Sequence, residues 1–219
     1  MSRRVDGSGG ADLFQGMTAE ELREVERVTL TRTFPRGAVI YTPGETGEAL
    51  FLLRAGAVQI YRMSPEGRKL VIAHLLPYSF FGELSCIGQG MYDTFAEVTE
   101  VSTIVTMNCE VLNRLLVSKP EIARRILEAF GRRLLEAERQ LEDTVFKGIP
   151  ARVAALLLRE AHGDSVDGLT HQDIAERLGV YRETATNALN ELKAADLISI
   201  GRKHITILDL DRLARLAGE

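Results

Sequence analysis

Three textures of apolar and polar positions follow one another along the chain. Between Thr31 and Asn108, short apolar or alternating runs recur at Ala38–Tyr41, Ala49–Arg54, Ala57–Met63, Lys69–Leu75, Thr94–Val98 and Thr103–Met107. Turn residues separate them: Pro35-Arg36-Gly37, Pro43-Gly44, Gly47, Ala55-Gly56, Pro65-Glu66-Gly67, Pro77 and Gly82. Short strands at regular spacing predict an all-β barrel, roll or sandwich. From Pro120 to Phe146 the period lengthens. Ile126, Phe130, Leu134, Ala137 and Leu141 recur at spacings of four, four, three and four, while Arg132, Arg133, Glu136, Arg139 and Gln140 lie outside the stripe. This predicts one long helix whose seam packs on its own domain or on a second copy. The length of the helix and its charged surroundings favour the second copy.

The third texture begins at Gly148-Ile149-Pro150, which breaks the helix and marks a boundary. Ala151–Ala161 reads as a helix, followed by a loop through Gly168, two short helices and a hairpin over Leu197–Leu208. At the other end, Met1–Asp12 with Gly7, Ser8, Gly9 and Gly10 has little side chain to bury and reads as a loose arm. Thr18 and Glu21 form a capping-box pattern, so Thr18–Val28 is an expected helix. The expected domains are an arm over 1–17, a β-domain over 18–118, the long helix over 119–147 and a small C-terminal domain over 148–219.

Composition narrows the class. The 219 residues are 45% hydrophobic and 26% charged, as in soluble globular proteins. With a net charge of -4, any nucleic-acid site must be a local patch. The small C-terminal domain is itself weakly acidic, with nine Lys/Arg against eleven Asp/Glu from Gly148 onward. Cys86 and Cys109 have neither metal-knuckle nor CxxC spacing, so they read as two thiols in a reducing cytoplasm. No signal peptide and no membrane span is read, and a cytoplasmic location is expected.

The chemistry concentrates in Leu169–Ala194. Thr170 is placed to cap a helix through Leu178, and Gly179 ends it in a tight turn. A second helix begins near Tyr181 or Arg182. Ala185, Ala188, Leu189 and Leu192 share a face that can pack on Ile174 and Leu178. Arg182, Glu183, Thr186, Asn187 and Asn190 share the other. This is a helix-turn-helix with polar groups at the start of its second helix. Arg182 can donate twice to a guanine edge, Glu183 can accept from cytosine N4, and Asn187 can pair with adenine. Any one of these residues alone reads as a solvated helix face. Their combination with the turn and with the tip Gly201-Arg202-Lys203-His204, a phosphate-contacting wing, is far more specific.

On these residues the chain resembles the Crp/Fnr family of transcription regulators. The resemblance rests on Leu169-Thr170-His171-Gln172-Asp173-Ile174-Ala175, Leu178-Gly179, Arg182-Glu183-Thr184 and Leu197-Ile198-Ser199 in the C-terminal domain. In the β-domain it rests on Phe34-Pro35-Arg36-Gly37, Pro43-Gly44, Gly56 and Phe81-Gly82-Glu83-Leu84-Ser85. It implies an α+β chain with a cyclic-nucleotide-binding-like β-roll (jelly roll), a long central dimerisation helix and a C-terminal winged helix-turn-helix. It further implies a homodimer on a palindromic double-stranded operator, with RNA polymerase as partner. Carried over, Arg182 and Glu183 read bases, and Thr170, Gln172 and Lys203 hold phosphates. Ile126, Phe130, Leu134, Ala137 and Leu141 form the dimer seam. Two departures, Tyr181 where serine is common and Asn187 where a second arginine is common, imply an altered half-site.

The effector reads differently. In cyclic-AMP-binding members Gly-Glu-Leu is followed by an Arg-Ser pair that grips the phosphate. Those positions here are Asp93 and Thr94, after Tyr92, and the adenine-contacting Thr-Ser pair becomes Ala137 and Glu138. A buried phosphate needs a cation, so cyclic AMP is disfavoured, as is 2-oxoglutarate. The four-cysteine iron–sulfur pattern is absent. Haem through His74, Cys86, Cys109 or Met91 is not expected, since a lone His or Cys in a β-domain is ordinarily structural. The expected pocket, for an apolar or cationic effector if any, is Gly82, Glu83, Leu84, Tyr92, Asp93 and Glu138. No metal and no cofactor is read. A ligand-binding module without DNA activity is the competing reading. An enzyme using His74, Ser85, Cys86 or Asp93 lacks any framing motif.

Overall fold

The computed structural model describes residues 27–45, 47, 49–82, 86 and 92–218. The expected arm and most of the expected helix Thr18–Val28 lie outside these residues, as do Glu83, Leu84, Ser85 and Met91. Two compact units divide the chain. The first comprises residues 1–62 and 72–134, the second residues 63–71 and 135–219.

In the first unit, β1 (Thr29–Phe34), β2 (Val39–Tyr41), β3 (Ala49–Met63), β4 (Lys69–Leu75), β5 (Phe80–Phe81) and β6 (Phe95–Asn108) pair antiparallel. Their order is β1-β6-β3-β4, with β2 on β6 and β5 on β3. The tip of the β3–β4 hairpin falls in the second unit. Strands β3 and β6 form the spine, and each is one strand where the sequence pattern suggested two. Gly56 is the reason. It has φ +87°, and a Cβ there would lie 2.3 Å from the Val101 carbonyl oxygen. The register shifts around it, from Ala55↔Thr103 to Val58↔Val98, so both strands bend through a bulge without turning back. The buried Ser102 hydroxyl closes the bend, lying 2.7 Å from the Glu100 carbonyl oxygen and 3.1 Å from that of Ala57, either of which can accept its hydrogen bond.

The roll's interior is an aromatic stack inside an aliphatic shell. Tyr41 lies on Tyr92 with centroids 3.9 Å apart, Phe51 on Phe81 at 5.1 Å, and Leu53, Val58, Val98 and Ile104 surround them. Helix α1 (Cys109–Ser118) follows β6 directly; its N-cap Asn108 accepts from the Glu110 amide. Helix α2 (Pro120–Phe146) starts in this unit. A second cluster joins Leu50, Leu52, Phe80, Val105 and Met107 of the roll to Leu112 of α1 and Ile122, Ile126 and Ala129 of α2.

One expectation is corrected here. Cys86 and Cys109 are not separate thiols; they form a disulfide, with Cα atoms 5.1 Å apart. The 23-residue separation hides what the sheet brings together. β5, just before Cys86, pairs with β3 at Phe51↔Phe81, and β3 pairs with the end of β6 at Leu50↔Met107, just before Cys109.

The second unit has its own core. Helices α3 (Ile149–Glu160), α4 (His171–Leu178), α5 (Arg182–Ala194) and α6 (Leu210–Ala217) surround a sheet ordered β7 (Ser165–Asp167), β9 (His204–Ile207), β8 (Ile198–Gly201). Pro150 lies in the first turn of α3, where its missing amide costs nothing, and Gly148 is the N-cap. Val153 to Leu157, Ile174, Leu178, Ala188, Leu189, Leu192, Ile198, Ile205 and Leu213 close one apolar cluster. Strand β7 stands within the span expected to be a loop, and α6 extends the expected fold.

Candidate nucleic-acid interface

Helix α4 starts on a reciprocal cap. The Asp173 amide donates to the Thr170 hydroxyl at 3.2 Å, and the Thr170 amide and hydroxyl donate to the Asp173 carboxylate at 2.8 and 2.6 Å. It ends at Gly179, whose φ of +65° is open to glycine and costly for other residues. The amide of Gly179 bonds back to Ala175 and the chain turns into α5. Ile174, Ala175 and Leu178 of α4 meet Ala185, Ala188, Leu189 and Leu192 of α5 in the buried cluster, which fixes the angle between the two helices. The Nδ1 of His171 and the Thr186 hydroxyl, 3.0 Å apart, tie their polar sides. From behind, Arg152 of α3 donates to the Leu178 carbonyl at 2.7 Å and so caps the end of α4. Burial pulls the Arg152 guanidinium below its ordinary pKa, opposed by Asp143.

The exposed polar face follows from this frame. Arg182 and Glu183 occupy the first turn of α5, with Asn187 one turn on, and all three are exposed. Beside them β8 and β9 close a hairpin through Arg202 and Lys203. Lys203 adopts φ +54°, and its carbonyl accepts from the Gly168 amide at 2.9 Å. Between hairpin and helices lies a cleft of about 450 Å³. Its lining includes Thr170, Gln172, Arg182 and Lys203, four of the seven residues expected to touch DNA. Thr186 is half-buried and bonded to His171, so it braces the two helices. Gln172 is exposed and donates to Glu176 at 2.9 Å.

The acidic balance of this unit has a local explanation. Asp173 and Asp209 are helix caps, Glu160 pairs with Arg177 at 2.6 Å, and Glu176 pairs with Lys69 at 3.3 Å. Asp167 holds His204 at 2.6 Å, and that bond depresses the pKa of the Asp167 carboxyl. Among the described residues neither Arg182 nor Lys203 has an ion-pair partner. Five of the eleven carboxylates are thus engaged in caps and pairs away from Arg182 and Lys203.

Tyr181 is the N-cap of α5 and offers the helix no side-chain acceptor. Its ring instead lies under the Arg68 guanidinium, 5.4 Å from the centroid. Lys69 is the neighbouring residue on the same hairpin tip. Sequence reasoning placed His171 and this hairpin but assigned neither its contact, since nothing local signals the His171–Thr186 or the Arg68–Tyr181 pairing.

Of the expected effector residues, Gly82, Tyr92, Asp93 and Glu138 are described. Gly82 is buried with φ +79°, its absent Cβ leaving room for the Phe51 ring. Tyr92 belongs to the roll's aromatic stack, with its hydroxyl 3.4 Å from the Ala49 carbonyl oxygen. Asp93 is exposed and paired with Arg62 on β3. Glu138 is exposed on α2. Of the expected seam, Ile126 is buried in the first unit's core and Phe130 packs edge-on to Phe80 at 6.1 Å, whereas Leu134 and Leu141 are 61% and 65% exposed.

Comparison with known proteins agrees with this architecture. A cyclic nucleotide-binding domain matches residues 31–119 and a Crp-like helix-turn-helix domain residues 151–216. The CRP-like cAMP-activated global transcriptional regulator of Mycobacterium tuberculosis is 33% identical over 217 residues, covering 94% of this chain and 96% of its own. The global nitrogen regulator of Synechococcus elongatus is 31% identical over 187 residues, covering 80% and 84%. A CRP/FNR-family transcriptional regulator from Thermus thermophilus superimposes with a TM-score of 0.73 at 28% identity, over 87% of this chain and 99% of that one. A crp/fnr-family regulator from Eubacterium rectale, 21% identical, shares the fold with a TM-score of 0.78 over 95% and 99%. These relatives are transcription regulators and not enzymes. With a helix-turn-helix built on α4 and α5, a β-roll before it and relatives matching nearly end to end, the chain belongs to the Crp/Fnr family of transcription regulators.

Proposed function

We propose that the chain acts as a homodimer that reads a palindromic operator with the first turn of α5 and clamps its backbone with the hairpin wing. The observation carrying this reading is the cleft in which Arg182 and Lys203, exposed and without ion-pair partners among the described residues, stand beside Thr170 and Gln172. Arg182 donates to a guanine edge, Glu183 accepts from cytosine, and Asn187 takes the position that the family often gives to arginine. Lys203 meets a phosphate. The Thr170 hydroxyl is committed to its cap, so phosphate at this end is held by the first amides of α4 together with Gln172. Thr186 supports the reading face through His171.

The dimer forms along α2. Leu127, Leu134 and Leu141 recur every seven residues and are 68%, 61% and 65% exposed, an unpaired stripe of coiled-coil period with Ala137 between the last two. Ile126 and Phe130 support this stripe from within their own subunit. RNA polymerase is the partner at the promoter, and the cytoplasm is where both are found.

The regulatory ligand is a small molecule of the β-roll. The Asp93-Thr94 pair argues against cyclic AMP. A second reading, cyclic AMP itself, is supported by the name of the Mycobacterium tuberculosis relative and by Arg62, which compensates the Asp93 charge. Selection from random duplex DNA tests the main reading, run with purified protein alone and with cyclic AMP added. A two-fold symmetric consensus is expected. Its appearance only with cyclic AMP establishes the second reading. Failure to enrich any sequence in either arm or with cell extract added would overturn DNA recognition.

A further inference from the structure

Two cysteines that face each other across the roll are a chemical device as well as a staple. Cys86 and Cys109 are both half-buried, hence within reach of small oxidants and reductants. Cys109 is the first residue of α1, a ten-residue helix, where the amides and the helix dipole favour a thiolate. Its partner stands ready 5.1 Å away by Cα. Disulfides in a reducing compartment are ordinarily transient and redox-sensing. Cys86 also packs, with Leu115, Leu116 and Phe130, on the cluster that holds Ile122, Ile126 and Ala129, the first half of α2. The exposed leucine stripe runs along the same helix from Leu127 to Leu141.

We propose that Cys86 and Cys109 form a reversible oxidation site for hydroperoxides, and that its state sets the DNA affinity of the dimer. In the reduced protein the Cys109 thiolate attacks a peroxide oxygen. An S–O bond forms, the O–O bond breaks, and the departing oxygen leaves as water or alcohol after taking a proton. Cys86 then attacks the sulfenic sulfur; the S–S bond forms, the S–O bond breaks and water leaves. The two thiols lose two electrons and the peroxide gains them. A dithiol reverses the step by exchange. Closing the bond fixes Cys86 against the root of α2, and opening it releases that packing, so the two states bias two arrangements of the helix.

This inference rests on the DNA-binding reading, and its test separates the two. Wild-type protein is reduced with dithiothreitol, desalted, and treated with one equivalent of hydrogen peroxide. Thiols are titrated before and after, and affinity for the selected palindrome is measured in both states. We expect both thiols to disappear and affinity to change by about fivefold or more, the usual lower size of an allosteric coupling. The change should vanish in the Cys86→Ser/Cys109→Ser double variant. A sulfenic acid should be trapped on Cys86→Ser protein and not on Cys109→Ser protein. Thiols that survive peroxide, equal affinity of the two states, or a redox effect that persists in the double variant would each overturn the proposal. If neither state binds any DNA while the thiols still cycle, the DNA-binding reading itself fails and the regulatory inference falls with it. The wild-type comparison needs no substitution, so a variant that does not fold leaves the test intact.

Discussion

The two units distribute their chemistry in opposite ways. In the second, every residue assigned to DNA lies between Thr170 and Lys203, on two helices and one hairpin that share a single buried cluster. In the first, Gly82, Tyr92 and Asp93 belong to different surroundings: a tight approach to Phe51, an aromatic stack and a surface pair with Arg62. A reading head must hold side chains rigidly at fixed spacing, so short-range structure suffices to build it. The β-domain instead joins distant segments, so its chemistry depends on contacts that sheet pairing brings together.

The contrast can be broken most sharply on α2. Leu134→Glu should weaken self-association by about 3–5 kcal/mol, the cost of an unpaired charge in a closed seam. Sedimentation would show monomer while the circular dichroism of both units persists. An unchanged dimer would move the interface elsewhere. Next, Leu189→Ala, at a fully buried position, should cost the second unit about 2–5 kcal/mol. Hydrogen exchange should then quicken in α4 and α5 and stay unchanged in β3 and β6. Equal loss in both would mean that the units do not fold separately.

Smaller effects sharpen the reading head itself. Arg182→Ala should cost about 1–3 kcal/mol on the preferred operator and relax selection at one guanine. Lys203→Ala should weaken all sequences alike and reduce the salt slope by about one ion. Interchanged behaviours would reverse the roles of helix and wing. The smallest effect concerns the base of the wing. The His204 bond holds the Asp167 carboxyl below its ordinary pKa, so this contact stabilises the fold above that ordinary value, about 4. The contribution is lost as pH falls through the lowered value. The difference in melting temperature between wild type and Asp167→Asn should therefore shrink as pH falls through the lowered carboxyl pKa and vanish in acid. A difference that grows in acid would contradict the assignment.

The same division governs what could be read in advance. The helix-turn-helix was legible because its signals are local: Thr170 three residues before Asp173, Gly179 at the turn, and apolar residues at helical spacing in α5. Helix α6 carried equally local signals, Asp209 as cap and Gly218 after its end, and α1 likewise, with Asn108 before Val111, Leu112 and Leu115. Strand β7 was too short to show a period. Gly56 read as a turn because a bulge and a turn ask the same backbone freedom of glycine. The role of His171 is visible only once α4 and α5 cross, and that of Tyr181 only once Arg68 lies over its ring.

Periodicity, caps and turn residues act within a few positions of one another, so the sequence alone established the order of the architecture and the helix-turn-helix. The tertiary structure alone decided the rest. It made one bent strand of each half of the spine, because Gly56 meets Val101 only through sheet pairing. It put Ile126 and Phe130 in their own core and left Leu134 and Leu141 outside, because burial depends on what the roll covers. It joined Cys86 to Cys109, because three strands of antiparallel register carry two distant segments to one place.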